Sequence, residues 1–459
     1  MDIIAAIATG ANPTAIGIVR VSGEGCFALC GRVFRAANGR PFGAQESRKM
    51  AYGEMLDREG RVIDRGLAVR FPGPNSYTGE DCAEFHCHGS PVVLRELLDA
   101  LFAAGARQAG AGEFTKRAFL NGRLDLTQAE AVVDLIDAET AAAARNAAAQ
   151  LDGGLRRTLE PIQDALLDIS SRFYAVVDYP DEDIEDVEPE HIARALQTAD
   201  ASLTRLLATC RRGKVLKSGV RTAIVGQPNA GKSSLLNALA GYDRAIVTDI
   251  PGTTRDTVEE SVLCGGVLLR LIDTAGIRDT EDAVERLGVE RSRRAMESAD
   301  LVLAVVDGTQ KPDGGTSELF RLAARSPRWI AVYTKRDIAP PRMIPASSPA
   351  PAFAPAASVS VSSVTGEGLD KLEAAVAALF PAGDPGDSGS LLTDARQEEA
   401  ARRARDAVRR AAGALAAGLT PDAVLTDVEE ALDALGELTG RTAKEEIVSR
   451  IFSRFCVGK

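Results

Sequence analysis

"TAIVGQPNAGKSSL", Thr222 to Leu235, decides the fold. An apolar run of strand type enters a glycine-bearing turn, and the turn enters a helix-forming stretch. Gly226, Gly231, Lys232 and Ser233 stand at the GxxxxGK(S/T) spacing. The glycines let consecutive backbone N–H groups curl around a phosphate. The lysine reaches the β and γ oxygens, the serine hydroxyl ligates magnesium, and the helix N-terminus adds a positive field. Working outward, "TAIVG", "LLRLID", "LVLAVVD", "WIAVYT" and "SVSVSS" alternate with helical stretches from residue 216 onward. That alternation predicts a parallel, doubly wound α/β sheet.

The other parts of a nucleotide switch follow in order. Asn229, Ala230, Gly231, Lys232, Ser233 and Ser234 form the phosphate-binding turn. "DTAG", Asp273, Thr274, Ala275 and Gly276, ends an apolar run; its aspartate suits the magnesium shell and its glycine N–H the γ-phosphate. "TKRD", Thr334, Lys335, Arg336 and Asp337, ends another. A carboxylate at Asp337 accepts from guanine N1–H and the N2 amino group together, a donor pair adenine lacks, so the expected nucleotide is GTP. Ser362 and Ser363 in "SSVTGEG" suit the loop that backs the base. Two positions depart from the commonest G-protein pattern: Thr334 where asparagine is usual, and Ser363 where alanine is usual. The residue after the DTAG glycine is Ile277, which cannot orient a water molecule. "TDIPGTTRD", 248–256, is polar and glycine-bearing for a switch loop, and Asn229 adds a side-chain carbonyl near the same phosphates.

At 459 residues the chain is long enough for about three domains. A net charge of −11 excludes a general polycation for nucleic acid, so any RNA contact must be local or supplied by a partner. Seven cysteines at 26, 30, 82, 87, 210, 264 and 456, an odd and sparse set without CxxC, predict a reduced, cytosolic protein. "MDIIAAIATGANP" lacks a basic leader and reads as a strand, and no run of eighteen apolar residues predicts a membrane span. The first ~120 residues mix short strands, Gly/Pro loops and a helix, an α+β pattern. From Leu124 the texture is helical to about 215, with Thr127 and Glu130 expected as the capping box of the first helix. Helical texture returns after "PAGDPGDSGS", so a helical region is split by an inserted α/β domain. Packing of its two parts on each other is the economical expectation, since neither alone has much core.

Some residues keep two readings. Glu84, His86 and His88 alternate in "AEFHCHG" and share one strand face, either a hydrogen-bonded polar face or an incomplete metal set. The acid run 181–190 is a solvated face or a partner surface, and "ARRARDAVRR" a solvated face or a local RNA contact. Trp329 opens a buried run and reads as core. Glu285 in "DAVERLG" is by itself a solvated helix carboxylate.

"GIVRVSG", "FPGPNSYTGED", "HGSPVVL", "GEFTKRAFLNGRLDLTQAEAV", the inserted stretch with "NAGKSS", "GTTRD" and "DTAG", and the final "FCVGK" occur in that order. This layout resembles the bacterial tRNA modification GTPase family MnmE, also called TrmE, over essentially the whole chain. The resemblance implies a multidomain protein. An α+β folate-binding, dimerising domain spans 1–119. An all-α helical domain is formed from 120–215 and 380–459. An inserted α/β, Ras-like G domain spans 216–379. It implies GTP hydrolysis stimulated by potassium and dependent on G-domain dimerisation. The expected potassium ligands are Asn229, Thr248, Ile250 and Thr253, the expected magnesium ligands Ser233 and Thr254, and the water-orienting group Glu285. Folate contacts carried over by position are Arg20, Glu84, Arg123 and Lys459, with 5-formyl-tetrahydrofolate or another tetrahydrofolate one-carbon form as ligand. The implied partners are a second copy through the N-terminal domain, tRNA, and the FAD-dependent protein MnmG (GidA) in a heterotetramer. The implied reaction adds a (carboxymethyl)aminomethyl group to C5 of the wobble uridine. A regulatory switch such as a ribosome-assembly GTPase would account for the G domain but not for "FCVGK" or the first 120 residues. A folate-dependent transferase with a vestigial G domain would not need Lys232, Ser233, Asp273 and Asp337 intact.

The tail keeps its own question. Phe455 and Val457 are expected to pin it by apolar burial, and Gly458 to let its backbone approach a ligand. Cys456 is either a nucleophile toward C6 of the uracil ring or a structural cysteine.

Overall fold

The computed structural model describes residues 2–10, 12–178, 189–242, 260–272, 293–342, 354–381, 389–453 and 455–458. They divide into two compact units, 1–133 with 150–201 and 400–459, and 134–149 with 202–399.

The first unit carries a seven-stranded sheet. Its strands are β1 (Ile4–Ile7), β2 (Thr14–Ser22), β3 (Phe34–Ala36), β4 (Ala51–Leu56), β5 (Val62–Phe71), β6 (Cys82–Gly89) and β7 (Arg107–Gln108), in the order β3-β4-β5-β6-β2-β1-β7. Pairing is antiparallel except for β1 with β7. One face is closed by the helices Cys26–Val33 and Pro91–Ala103. Val19, Val21, Ala83 and Phe85 pack there with Leu97 and Leu101. Because side chains alternate along a strand, this burial turns Arg20, Glu84 and His86 to the other face. The register sets Arg20 directly opposite Glu84, and Ile18 opposite His86.

The helix Gly154–Asp178 packs along Pro421–Thr439, so helices from both sides of the inserted stretch share one unit. The first helix of the alanine-rich region starts earlier than the sequence suggested, at Leu126 rather than after Thr127. Asp125 is the cap: its Oδ1 accepts from Gln128 N at 2.9 Å and from Thr127 Oγ1 at 2.6 Å, while Asp125 N donates to Gln128 Oε1 at 3.0 Å. That is a reciprocal box two residues upstream of the expected one. The stretch also breaks into two helices, Leu126–Ile136 and Ala141–Leu151.

The second unit holds β8 (Val220–Gly226), β9 (Ser261–Cys264), β10 (Val267–Leu271), β11 (Leu301–Asp307), β12 (Trp329–Thr334) and β13 (Ala357–Ser360) in the order β13-β12-β11-β8-β10-β9. Both faces are covered, one around Val220, Ile224 and Leu303, the other around Ala223, Val302, Trp329 and Tyr333. The strands are parallel as expected, except β9, which pairs antiparallel with β10. Its four residues are too short for their own periodic signal, and Gly265 and Gly266 form the hairpin turn. The carboxyl ends of β8, β11, β12 and β13 converge on one edge, the usual ligand-binding edge of such a sheet.

Candidate functional site

The phosphate-type turn leaves β8 at Gly226 and enters the helix Lys232–Tyr242. Its backbone passes through positive φ at Asn229 (60°) and Gly231 (90°). A Cβ at Gly231 would stand 3.3 Å from Thr334 Oγ1, so glycine serves both conformation and close packing there. Lys232 Nζ donates to the carbonyls of Gly226 (3.0 Å) and Gln227 (2.9 Å), and its partial burial lowers the ammonium pKa. Thr334 is buried at the end of β12, and its hydroxyl donates to Ala230 O at 2.6 Å with Val306 O also in reach at 3.1 Å. A hydroxyl has a single proton. Thr334 therefore spends its only donor on tying the turn to β12, two strands away in the sheet, where an asparagine amide would have a second donor left over.

Lys335 follows at φ 61° and donates to Asp307 Oδ2 at 2.7 Å. Burial alone would raise the Asp307 pKa, but the bonds from Lys335 and Thr309 outweigh it and hold it at about 2. Asp307 was not singled out in the sequence; its only signal is an acid closing the apolar run "LVLAVVD". Asp337 Oδ1 accepts from Ser362 Oγ at 2.7 Å, and its other oxygen carries no hydrogen bond among the described residues. Ser362 is in turn fixed by the amides of Val364 (3.3 Å) and Thr365 (3.1 Å). The Ser363 hydroxyl is buried with no partner among the described residues. Thr248, Ile250, Thr253, Thr254, Asp273, Thr274, Ala275, Gly276 and Glu285 lie outside the described residues.

In the first unit Arg20 Nε donates to Glu84 Oε1 at 2.9 Å. The guanidinium carbon lies 5.3 Å from the Tyr77 ring centre and 5.7 Å from that of Phe114. Tyr77 is seated by a 2.9 Å hydrogen bond with Thr115, and burial raises its phenol pKa. Its loop is held by Thr78 on Ser22 (2.7 Å) and by Asn121 on the Thr78 carbonyl (2.7 Å). His86 Nε2 lies 3.5 Å from Glu84 Oε2 and is buried without a hydrogen bond among the described residues. His88 instead pairs with Asp64 at 2.9 Å, and no group that could hold a metal ion forms among the described residues. Arg123 is exposed beside Gly79 and pairs with neither Arg20 nor Glu84, while Lys459 lies outside the described residues. Tyr77 and Phe114 escaped the sequence reading because an aromatic wall is assembled from distant segments.

The tail is anchored, though not as expected. Phe455 is buried against Phe452, Leu126 and Val448, but Val457 is 51% exposed. The second anchor is backbone: Gly112 N donates to Cys456 O at 3.3 Å, and Ala111 bridges Val457. Gly458 lies buried at φ 101°, where a Cβ would come 2.2 Å from Ile7 O. Cys456 is exposed and free, while the other six cysteines are buried. In the basic helix, Arg403 pairs with Glu437, Arg405 with Asp406, Arg409 with Asp200, and Arg410 with Asp427 and Glu430, which favours internal neutralisation over an RNA contact.

Family models match this chain in two pieces: "GTP-binding protein TrmE N-terminus" over residues 3–123 and "MnmE helical domain" over 126–456. The chain is 46% identical over 458 residues to the tRNA modification GTPase MnmE of Symbiobacterium thermophilum, covering 100% of this chain and 99% of that protein. The protein of that name from a Roseiflexus species is 45% identical over 469 residues, and the one from Thermus thermophilus 44% over 459, with the same coverage.

Gly458→Ala is expected to unseat the tail. The methyl meets Ile7 O, and a non-glycine residue at that φ costs about 1–3 kcal/mol. Hydrogen exchange at the Gly112 amide should quicken about tenfold or more, with the amides of β1 unchanged; an unchanged Gly112 rate would show that the tail is not held there.

Proposed function

The chain belongs to the family of the tRNA modification GTPase MnmE, and from that membership we propose that it hydrolyses GTP in the course of modifying tRNA. The observation that carries the proposal is the junction at the sheet edge. Lys232 stands at the turn, Thr334 ties that turn to the strand bearing Asp337, and Ser362 orients the Asp337 carboxylate. In this reading Asp337 accepts from guanine N1–H and N2 through the oxygen Ser362 leaves open, and Ser363 backs the base. Lys232 and the amides of 229–234 hold the phosphates, and Asp273 to Gly276 sense the γ-phosphate.

Ser233 opens the helix after the turn, a hydroxyl position that fits magnesium together with Thr254. Asn229, held at positive φ in the turn, fits a potassium ion shared with Thr248, Ile250 and Thr253. A cation at that point supplies positive charge against the charge developing on the transferring phosphoryl group. Glu285 orients water, taking the role that Ile277 cannot fill. Hydrolysis is fast when two G domains meet and exclude water from the site.

The Arg20–Glu84 pair, walled by Tyr77 and Phe114 and bordered by the orphaned His86 nitrogen, fits a flat, polar-edged heterocycle of the tetrahydrofolate class. Arg123 and Lys459 meet its charged end. A bound folate would supply a one-carbon unit at the methylene level. In this reading Cys456, exposed on an anchored tail, acts on the uridine. Its thiolate adds to C6, the C5=C6 electron pair moves to C5, C5 bonds the methylene carbon while that carbon's bond to one folate nitrogen breaks, and loss of the C5 proton expels the thiolate. An amine, ammonia or glycine, then displaces the tetrahydrofolate from the methylene carbon, which gives the aminomethyl or carboxymethylaminomethyl uridine at the wobble position. The partners are a second copy through 1–119 and the FAD-dependent MnmG in a heterotetramer, in the cytoplasm. The proposed domains are 1–119, a helical domain of 120–215 and 380–459, and a G domain of 216–379.

Three experiments test this. Asp337→Asn should weaken GTP about ten- to hundredfold and favour xanthosine triphosphate, because the amide reverses the donor pattern; unchanged GTP affinity would remove Asp337 as the base reader. Hydrolysis should rise sharply in potassium over sodium, and Asn229→Ala should erase the difference; equal wild-type rates in both salts would sink the ion site. Cys456→Ser should leave GTP hydrolysis near wild type and abolish wobble-uridine modification in a strain carrying only that variant, read by nucleoside mass spectrometry. Normal modification in that strain would reduce the tail to a packing device.

A further inference from the structure

A cavity of about 600 Å³ lies in the first unit, away from the Arg20–Glu84 corner. Its walls come from the helices Glu113–Leu120, Gly154–Asp178 and Glu445–Phe452 and from the turn at Gly440. The size and the largely apolar lining are those of a small-molecule site. Phe119, Leu124 and Val448 make an apolar wall that includes an aromatic face.

The polar groups of the lining are several and differ in kind. Gln163 is 4% exposed, yet its side-chain amide lines the cavity and has no hydrogen-bond partner among the described residues. Its polar atoms open onto the cavity and are not sealed in the core, so they are available to a ligand. It offers one acceptor and two donors, the complement of an imide or amide edge on a heterocycle. Lys116 is half-buried at the rim, and neither it nor Arg441 has a carboxylate partner among the described residues. Arg156 is paired with Glu160 at 2.7 Å, Asp125 caps its own helix through Oδ1 while its Oδ2 is buried without a partner among the described residues, and Glu445 has no cationic partner among them. Cations and acids of the lining balance, so a phosphate would be held by the positions of Lys116 and Arg441 and not by a net positive field.

We propose that this cavity receives a single nucleotide of RNA, with the base on the Phe119 wall, its amide edge on Gln163, and its phosphate on Lys116 and Arg441. The inference rests on the reading that RNA is the substrate. The same cavity chemistry suits a free nucleoside monophosphate, so the source has to be separated by experiment. Continuity with the tail supports the RNA source: Phe119 and Val448 belong to the apolar cluster that seats Phe455, so a nucleotide held here lies against the core that positions Cys456.

The test uses the full chain, a labelled RNA hairpin read by fluorescence anisotropy at fixed salt, and uridine 5′-monophosphate as competitor. Gln163→Leu fills the same space without the amide, and Lys116→Met and Arg441→Met remove the cations. Each variant should weaken the hairpin about fivefold or more, as expected for losing one bond to a buried or charged group. The lysine and arginine variants should also lower the salt slope by about one each. GTP hydrolysis should stay at the wild-type rate. Displacement of the hairpin by the monophosphate supports a pocket that reads one nucleotide on its own. Variant-sensitive hairpin binding without displacement supports the tethered RNA source. Wild-type hairpin binding with all three variants within twofold overturns the cavity proposal and leaves the RNA reading standing. Binding of neither probe overturns both.

Discussion

A guanidinium buried to 5% exposure organises the first unit. Arg117 donates to Asp2 O (2.9 Å) and Oδ1 (2.8 Å), to Glu80 Oε2 (2.9 Å) and to Glu113 Oε1 (3.1 Å). Three segments far apart in sequence therefore meet on one charge: the entry to β1, the loop carrying Tyr77, and the helix carrying Phe114. Those last two make the aromatic walls over Arg20. A buried ion cluster adds little to stability over an apolar one, yet removing one member costs about 3–5 kcal/mol, because the others are left unpaired. Its effect is to allow one arrangement of these segments. Glu113 shows the direction of the field: burial raises its pKa, but the bonds from Arg107, Gly110 and Arg117 hold it at about 2.

The second unit uses a lighter tie for a similar purpose. The Thr334 hydroxyl joins the phosphate-type turn to β12, and the Lys335–Asp307 bond joins the end of β12 to the end of β11. The ends of β12 and β11, and the turn that leaves β8 beyond them, are thus tied together by side chains at the carboxyl edge of the sheet. A base and a triphosphate make contacts about a nanometre apart on one molecule, so the parts that read them must keep a constant spacing. Side chains that cross between strand ends supply that spacing where the sheet's own hydrogen bonds stop.

Much of this was legible in the sequence where local chemistry decides the outcome. The phosphate-type turn, the strand runs, the α+β start and the apolar anchor at Phe455 all depend on residues close in the chain. The failures share the opposite property. The helix cap moved from Thr127 to Asp125 because both residues suit a cap, and only the backbone path selects between them. β9 was invisible because a four-residue edge strand draws its order from β10. Asp307, Tyr77, Phe114 and Gln163 gained their roles from partners or surfaces contributed by other segments. The arginines of 402–410 look like a nucleic-acid face until the acids of the neighbouring helices are placed beside them.

The tail combines anchoring with access. In an extended backbone neighbouring side chains point to opposite faces, so the burial of Phe455 turns Cys456 outward, and a thiol drawn into the core would have its pKa raised by desolvation, away from the reactive thiolate. The buried cysteines Cys264 and Cys87 show that penalty, at about 12 and about 11. Here the anchors are the Phe455 ring on one side and the Gly458 backbone on the other, with a main-chain bond from Gly112 between them. None of the three needs the side chain of residue 456 or 457. The thiol is therefore held by its neighbours while staying exposed to water.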